Sequence, residues 1–312
     1  MKEYIGIDLG GTKIKGVRIN ENFEIVENVN VEKYDSSSAE SITNVLEEVI
    51  RTLDKPEVLS IGFGIAGFID AYLGVIHASP NIPALKEINI KSIFEHKFGK
   101  DVFVDNDAKA GALAELFVGS AKDTKDFLFI TFGTGIGAAI ISNGMLVRGA
   151  NNLAGEIGHI TLDPNGPKCG CGKLGCFETF ASGPAIKRIY IENIKNYDKL
   201  PLLAYFSNDS SKIDTPFIFK FKDFDINAKN TLKYVADKIG LGLSIVVNLL
   251  NPKKVIIGGG LGMSLKGIFN DVLESFYRNT LKIEAESVEF LFSELENEGV
   301  AIGAALLPFS KY

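Results

Sequence analysis

The side chains most suited to chemistry crowd into one stretch. The run Cys169-Gly170-Cys171-Gly172-Lys173-Leu174-Gly175-Cys176 holds all three cysteines of the chain, and His159 stands upstream of it, after Gly155-Glu156-Ile157-Gly158. Three thiolates and one imidazole form a Cys3His set. Such soft and borderline donors suit tetrahedral Zn²⁺, and four protein ligands leave no open position, which points to a structural rather than a hydrolytic ion. Free cysteines in a core are the alternative, but this glycine-rich loop has too little apolar surface to bury them. Chelation would then order the loop, with binding on the order of 10 kcal/mol available for it. Glu156 and Glu178 flank the ligands. Pinned on a rigid loop they could accept the hydroxyls of a sugar; otherwise they are solvated surface acids.

A second group of residues suits phosphate. Asp8 ends a short apolar run and is followed by Gly10-Gly11-Thr12, and a similar turn recurs as Gly133-Thr134-Gly135. Without Cβ atoms, such turns let backbone N–H groups approach phosphate oxygens, while Thr12 and Thr134 can add a hydroxyl. Either turn alone could be an ordinary hairpin; it is their pairing that points to a nucleotide. Gly258-Gly259-Gly260, after the apolar Val255-Ile256-Ile257, offers a third surface for close approach or a simple turn. Asp8 could hold Mg²⁺ through water, because that ion dehydrates reluctantly. Asp107, in Val104-Asp105-Asn106-Asp107-Ala108, falls at a strand-to-helix junction, where a carboxylate usually caps the helix. The same position would let it accept a hydroxyl proton during phosphoryl transfer, with Asn106 orienting that hydroxyl.

The elements that must position these groups follow from the apolar pattern. Tyr4 to Asp8 and Ile14 to Ile19 read as two strands joined by the glycine turn, and Phe23 to Val31 as a third. Ile42, Val45, Leu46, Val49, Ile50 and Leu53 have helical spacing behind the capping candidates Ser36, Ser37 and Ser38. Leu59 to Ile65 is a strand, Ile90 to Phe98 a helix, Val102 to Val104 a strand and Ala108 to Val118 a helix. At Phe127 the opening pattern starts again: strand, glycine-threonine turn, strand, asparagine turn. Ile5 to Asn20 and Leu128 to Asn143 match in apolar positions, which indicates an internal duplication whose two turns would grip a nucleotide from both sides. Leu232 to Leu250 reads as a long buried helix ending at Asn251-Pro252. The segment from Asn193 to Asn227 has weak periodicity and reads as an irregular excursion.

Composition narrows the class. With 312 residues and 46% hydrophobic content the chain can bury one or two cores, and the length favours two domains. A net charge of −6 with interspersed signs argues against nucleic-acid binding, since neutralising backbone phosphates needs a basic face. The longest nearly apolar stretch, Ile239 to Leu250, falls short of a membrane span. No leader pattern precedes the first strand, so a cytoplasmic protein is expected. Three clustered cysteines do not make a disulfide framework.

Together these residues resemble the ROK family of sugar kinases and repressors. The likeness runs from Asp8-Leu9-Gly10-Gly11-Thr12-Lys13 through Asn106-Asp107, the second glycine turn, Gly155-Glu156-Ile157-Gly158-His159 and the cysteine loop to Gly258-Gly259-Gly260. The resemblance implies a duplicated actin-like (ribonuclease H-like) α/β ATPase fold. A smaller domain would span residues 1–118 with a C-terminal helix at 300–312, and a larger one residues 119–299, with mixed sheets flanking a cleft. It implies ATP-dependent phosphorylation of a hexose, with Asp107 as catalytic base and Asn106, Glu156, His159 and Glu178 on the sugar. Gly67 and Asn81 fall where the family adds further sugar contacts, and Lys13 joins the ATP-binding turn. His159 would then bind zinc through one ring nitrogen and a sugar hydroxyl through the other.

Ala66 and Lys109 depart from the glucokinase-like pattern, at the edge of the expected sugar pocket. The stretch from Leu146 to Cys176 most resembles the glucokinase and N-acetylmannosamine kinase members, and glucose, phosphorylated at its 6-hydroxyl, is the preferred expectation. N-acetylmannosamine, fructose, mannose and allose are the alternatives. The family also implies a dimer or tetramer, and its repressors define the rival class, disfavoured here because nothing ahead of the first strand has room for a helix-turn-helix.

Overall fold

The structure is a computed structural model and describes residues 2–194, 205–206, 209, 212–295 and 298–310. The chain divides into two compact units. One comprises Met1–Phe129, Ala139–Gly155 and Ser293–Tyr312; the other comprises Ile130–Ala138 and Glu156–Phe292.

The strands are β1 Glu3–Leu9, β2 Ile14–Asn20, β3 Ile25–Val31, β4 Val58–Ile65, β5 Phe68–Asp70, β6 Val75–Ala78, β7 Ile88–Asn89, β8 Asp101–Asn106, β9 Phe127–Phe132, β10 Ile136–Ser142, β11 Met145–Leu146, β12 Lys254–Gly258 and β13 Glu289–Phe292. Two sheets share one plan. The first has the order β3-β2-β1-β4-β8 and the second β11-β10-β9-β12-β13. In the first, β1 pairs antiparallel with β2 and β2 with β3, while β4 lies parallel to β1 and to β8. In the second, β10 pairs antiparallel with β11 and β12 parallel with β13. The duplication expected from two hairpins thus extends over five strands on each side.

Within the first sheet β1 and β4 are almost wholly buried, being apolar on both faces as strands covered on two sides must be, whereas the edge strand β3 is largely exposed. Ile42, Leu46, Val49, Ile50 and Leu53, on the helix Ala39–Leu53, pack with Ile5, Ile7, Phe63 and Val104 in one core. Burying each large aliphatic side chain contributes roughly 1.5–3 kcal/mol. That helix starts where the serines suggested, with the Ser38 side chain accepting from the Ser41 N–H. The helix Ile90–Phe98 is bracketed by an Asn89 cap and by Gly99 in the left-handed region.

In the other unit the helix Ile226–Leu250 is the longest element. It begins six residues before the apolar spacing starts, because Asp225 caps it through the N–H groups of Asn227 and Ala228. It ends at Asn251, which takes φ 43° and accommodates the left-handed turn before Pro252. It packs against the helices Gly183–Ile194 and Phe269–Asn279.

Two expectations need amendment, and one sheet lies beyond them. Within the stretch from Asn193 to Asn227, residues 195–204, 207–208 and 210–211 lie outside the described residues, but Thr215–Lys220 is a helix capped by Asp214 rather than an irregular run. Of the helix expected over 300–312, residues 311–312 lie outside the described residues, and the rest is a helix at Gly299–Ala305 followed by a 3₁₀ turn at Leu307–Phe309. A third sheet, β5-β6-β7, lies between β4 and β8 in sequence and was not anticipated. Its strands are too short to show alternation.

Candidate functional site

In the first unit, strand register brings the acidic residues near one another. Across three parallel strands Asp8 aligns with Gly64, and Gly64 with Asp105; one step on, Leu9 aligns with Ile65 and Ile65 with Asn106. The chain leaves β8 directly into the helix Asp107–Phe117. Its cap is Asn106, not Asp107: Asn106 Oδ1 accepts from the Ala108 N–H at 2.9 Å. Asp107 is the first helical residue, half-buried, with one carboxylate oxygen 2.9 Å from the same N–H. An anion in the first turn is favoured by the helix dipole. The Asp8 carboxyl is pushed up to about 7, chiefly by burial and then by the nearby charge of Asp107, with Lys15 opposing. A cation beside Asp8 would relieve that repulsion.

The first glycine turn is tied down on both sides. The Gly10 N–H donates to Lys13 O at 3.0 Å, and the Tyr34 hydroxyl donates to Gly10 O at 2.7 Å. Gly11 lies against the backbone of Asn81, so Asn81 meets the phosphate-type turn through its main chain, its residue being exposed. Thr12 and Lys13 are exposed, and Lys13 forms an ion pair with Glu32. Gly67 accepts through its carbonyl from Asn106 Nδ2 at 3.2 Å, which joins two of the expected sugar-side residues.

In the second unit the other glycines converge. The Gly133 N–H donates to Gly135 O at 3.0 Å and the Gly183 N–H to Gly133 O at 2.8 Å, leaving Thr134 exposed at the tip. Gly259 has φ 83° and packs so closely on Phe132 that a Cβ would lie 2.4 Å from the Phe132 carbonyl oxygen, so no other residue fits there. Gly260 is exposed with open space beside it, whereas Gly258 is buried as the last residue of β12.

The metal-type cluster also lies wholly in this unit. Ligand atoms of His159, Cys169, Cys171 and Cys176 all fall within 4.8 Å of one another. Cys171 Sγ is 3.6 Å from Cys176 Sγ, and Cys169 Sγ is 3.6 Å from His159 Nδ1. Bond lengths of about 2.3 Å to sulfur and about 2.0–2.1 Å to nitrogen give tetrahedral edges of roughly 3.5–3.8 Å, so the donor set fits one ion. The loop is more packed than its glycines suggested: Cys169 and Cys176 are buried, and only Cys171 is exposed. Gly175 is its tightest point, where a Cβ would overlap the Asp163 carbonyl. Glu178 Oε1 lies 2.9 Å from Cys169 Sγ and 3.6 Å from His159 Nδ1, while Gly135 faces Glu178 Oε2. Glu178, His159 and the second glycine turn are therefore neighbours. Glu156 is exposed and precedes the 3₁₀ turn Ile157–His159, whose His159 N–H donates to its carbonyl at 3.1 Å.

Sequence reasoning placed Lys109 at the edge of the sugar pocket but missed the buried polar set it belongs to, beside Asn106 and Asp107. Asp105, Lys109, Arg148 and Asn152 are all buried and joined by hydrogen bonds. Their signal was only compositional, a polar run at Arg148 to Asn152 in a turn, and nothing local discloses which partner each reaches. Among the described residues no helix is long and apolar enough to cross a membrane.

Comparison with known proteins agrees with this architecture. The sequence matches the ROK family over residues 4–310, and the chain belongs to that family. Its fold is the duplicated actin-like ATPase fold, an α/β architecture with mixed sheets. It is 33% identical to a glucokinase of Halalkalibacterium halodurans, over 97% of this chain and 94% of that one. A crystal structure of a ROK family glucokinase from Streptomyces griseus, in complex with glucose and AMPPNP, is 29% identical with a TM-score of 0.82, covering 98% of each chain. A xylose repressor of Bacillus spizizenii is 30% identical over 96% of this chain and 75% of its own length.

Proposed function

We propose that this chain is an ATP-dependent sugar kinase that transfers the γ-phosphoryl group to a hexose, with glucose and its 6-hydroxyl as the preferred acceptor. Asp107 carries the reading: a half-buried carboxylate in the first turn of a helix, near enough to Asp8 for its charge to raise the Asp8 pKa. The likeness to a glucokinase crystallised with glucose and AMPPNP supports the choice of substrates.

Asp107 accepts the proton of the sugar hydroxyl as its oxygen bonds to the γ-phosphorus and the bond to the leaving ADP oxygen breaks. General-base assistance of this kind is worth ~10²–10⁴-fold. Asn106 and the Gly67 backbone orient the acceptor. Asp8, through water, would hold the Mg²⁺ that neutralises the phosphates. Backbone N–H groups of the Gly10-Gly11 turn, and separately those of the Gly133-Gly135 turn in the other unit, are each suited to phosphate oxygens. His159, Cys169, Cys171 and Cys176 would hold a zinc ion that supplies rigidity rather than reaction chemistry, ordering the loop that carries His159, Glu156 and Glu178, the residues expected on the sugar.

A coupled assay of ADP release across glucose, mannose, fructose, allose and N-acetylmannosamine tests this. The expected result is stoichiometric ADP and hexose phosphate, with the highest kcat/KM on glucose. The likeness to a xylose repressor defines the opposing outcome: sugar-dependent operator binding with no ADP released from any hexose.

A further inference from the structure

The hydrogen-bonded set beside Asp107 has a definite wiring. Lys109, two residues into the helix after Asp107, is 2% exposed. A lysine ammonium buried to that extent is costly unless oxygens take its protons. Asn152 supplies two such oxygens: the ammonium donates to its main-chain carbonyl and to Oδ1, the latter at 3.1 Å. The other end of the same amide continues the chain, with Asn152 Nδ2 donating to Ile69 O at 2.8 Å and to Asp105 Oδ1 at 3.1 Å. Asp105, fully buried, also accepts the Asn106 N–H at 2.8 Å and pairs with Arg148 at 3.1 Å.

Each anchor of this wiring lies one or two residues from a residue given a role in the proposed reaction. Ile69 is two beyond Gly67, Asp105 immediately precedes Asn106, and Lys109 is two beyond Asp107. Asn152 hydrogen-bonds to all three segments. Apolar packing could fill such a space with equal stability, but it would not fix the direction of a carbonyl or a strand end as hydrogen bonds do. Asn152 is held at φ 58°, a left-handed conformation that asparagine tolerates better than most residues.

We propose that Lys109 and Asn152 form one latch that sets the relative placement of Gly67, Asn106 and Asp107, and are thereby positioning residues for the acceptor sugar. This rests on the kinase reading above. Misplacing a reacting group by about 1 Å can cost on the order of 10²-fold, so a latch behind the site has leverage without touching substrate.

The test uses the full chain and three variants: Lys109→Met, which keeps length and removes the ammonium; Asn152→Gly, which removes the amide and tolerates the backbone angle; and the double variant. Hexose KM, ATP KM, kcat and Tm are measured for each. Each single variant is expected to raise hexose KM by at least about tenfold and to lower kcat, with ATP KM within about twofold of wild type. The double variant should be no worse than the poorer single one, because both residues act through one chain of bonds. A purely structural role would instead lower Tm and the active fraction, leave hexose KM unchanged and add in the double variant, and that pattern overturns the proposal. Should Lys109→Met fail to fold, Asn152→Gly carries the same comparison alone. A wild-type chain that turns over no hexose sinks the kinase reading and this inference with it, whereas an active wild type with unaltered variants sinks only the latch.

Discussion

Gly11 presses on the main chain of Asn81 so closely that a Cβ at position 11 would lie 2.7 Å from the Asn81 carbonyl oxygen. The contact ties a turn assigned to phosphate to a segment assigned to sugar. In Gly11→Ala either the turn or the Asn81 backbone must shift, and backbone gives less readily than a side-chain tip. The expected result is a fall in kcat/KM of about tenfold or more, with KM raised for ATP and hexose together. Steady-state kinetics with each substrate varied in turn checks it; a rise confined to one of the two would show that the segments move independently.

Removing the metal should act on the sugar rather than on the nucleotide. Cys171 is the exposed ligand, so Cys171→Ser tests chelation without opening a core cavity, as a change at the fully buried Cys176 would. Elemental analysis is expected to give one zinc per wild-type chain and much less in the variant. Hexose affinity measured by calorimetry should drop by about tenfold or more, the effect expected when the groups that orient a ligand are loosened. Metal-free wild-type protein with unchanged hexose affinity would contradict the account of the loop.

Glu115 gives a pH dependence whose sign follows from its surroundings. Burial holds its carboxyl above the ordinary value of 4.5, against hydrogen bonds from Ser293 and the Ser120 N–H. The folded chain therefore keeps a proton that the unfolded chain has lost, and stability falls as pH rises from the ordinary value through the raised one. Glu115→Gln cannot ionise, so this part of the decline should vanish. Tm against pH for the two proteins should diverge in favour of the variant as pH increases across that interval; parallel curves would show that the carboxyl is not perturbed.

Much of this organisation is legible before any coordinates. The paired glycine turns, the cap at Ser38 and the helix at 90–98 can be read because each is specified by neighbours within a few residues. Asn106 took the capping role expected of Asp107 because the two side chains compete for one N–H, and spacing alone does not rank them. The short strands β5 to β7 have too few residues for a period, and the helix Thr215–Lys220 is only six residues long. The latch is illegible for a different reason: its bonds join positions 43, 47 and 83 apart in sequence, and only the fold brings them together.

Asp107→Asn is the most direct test of the central claim. It preserves shape and a hydrogen-bonding group while removing the base. With ATP and the best hexose, the variant is expected to release ADP ~10²–10⁴-fold more slowly than wild type while binding the sugar with similar affinity. An ADP release rate within a few-fold of wild type would contradict the assignment of proton removal to this carboxylate.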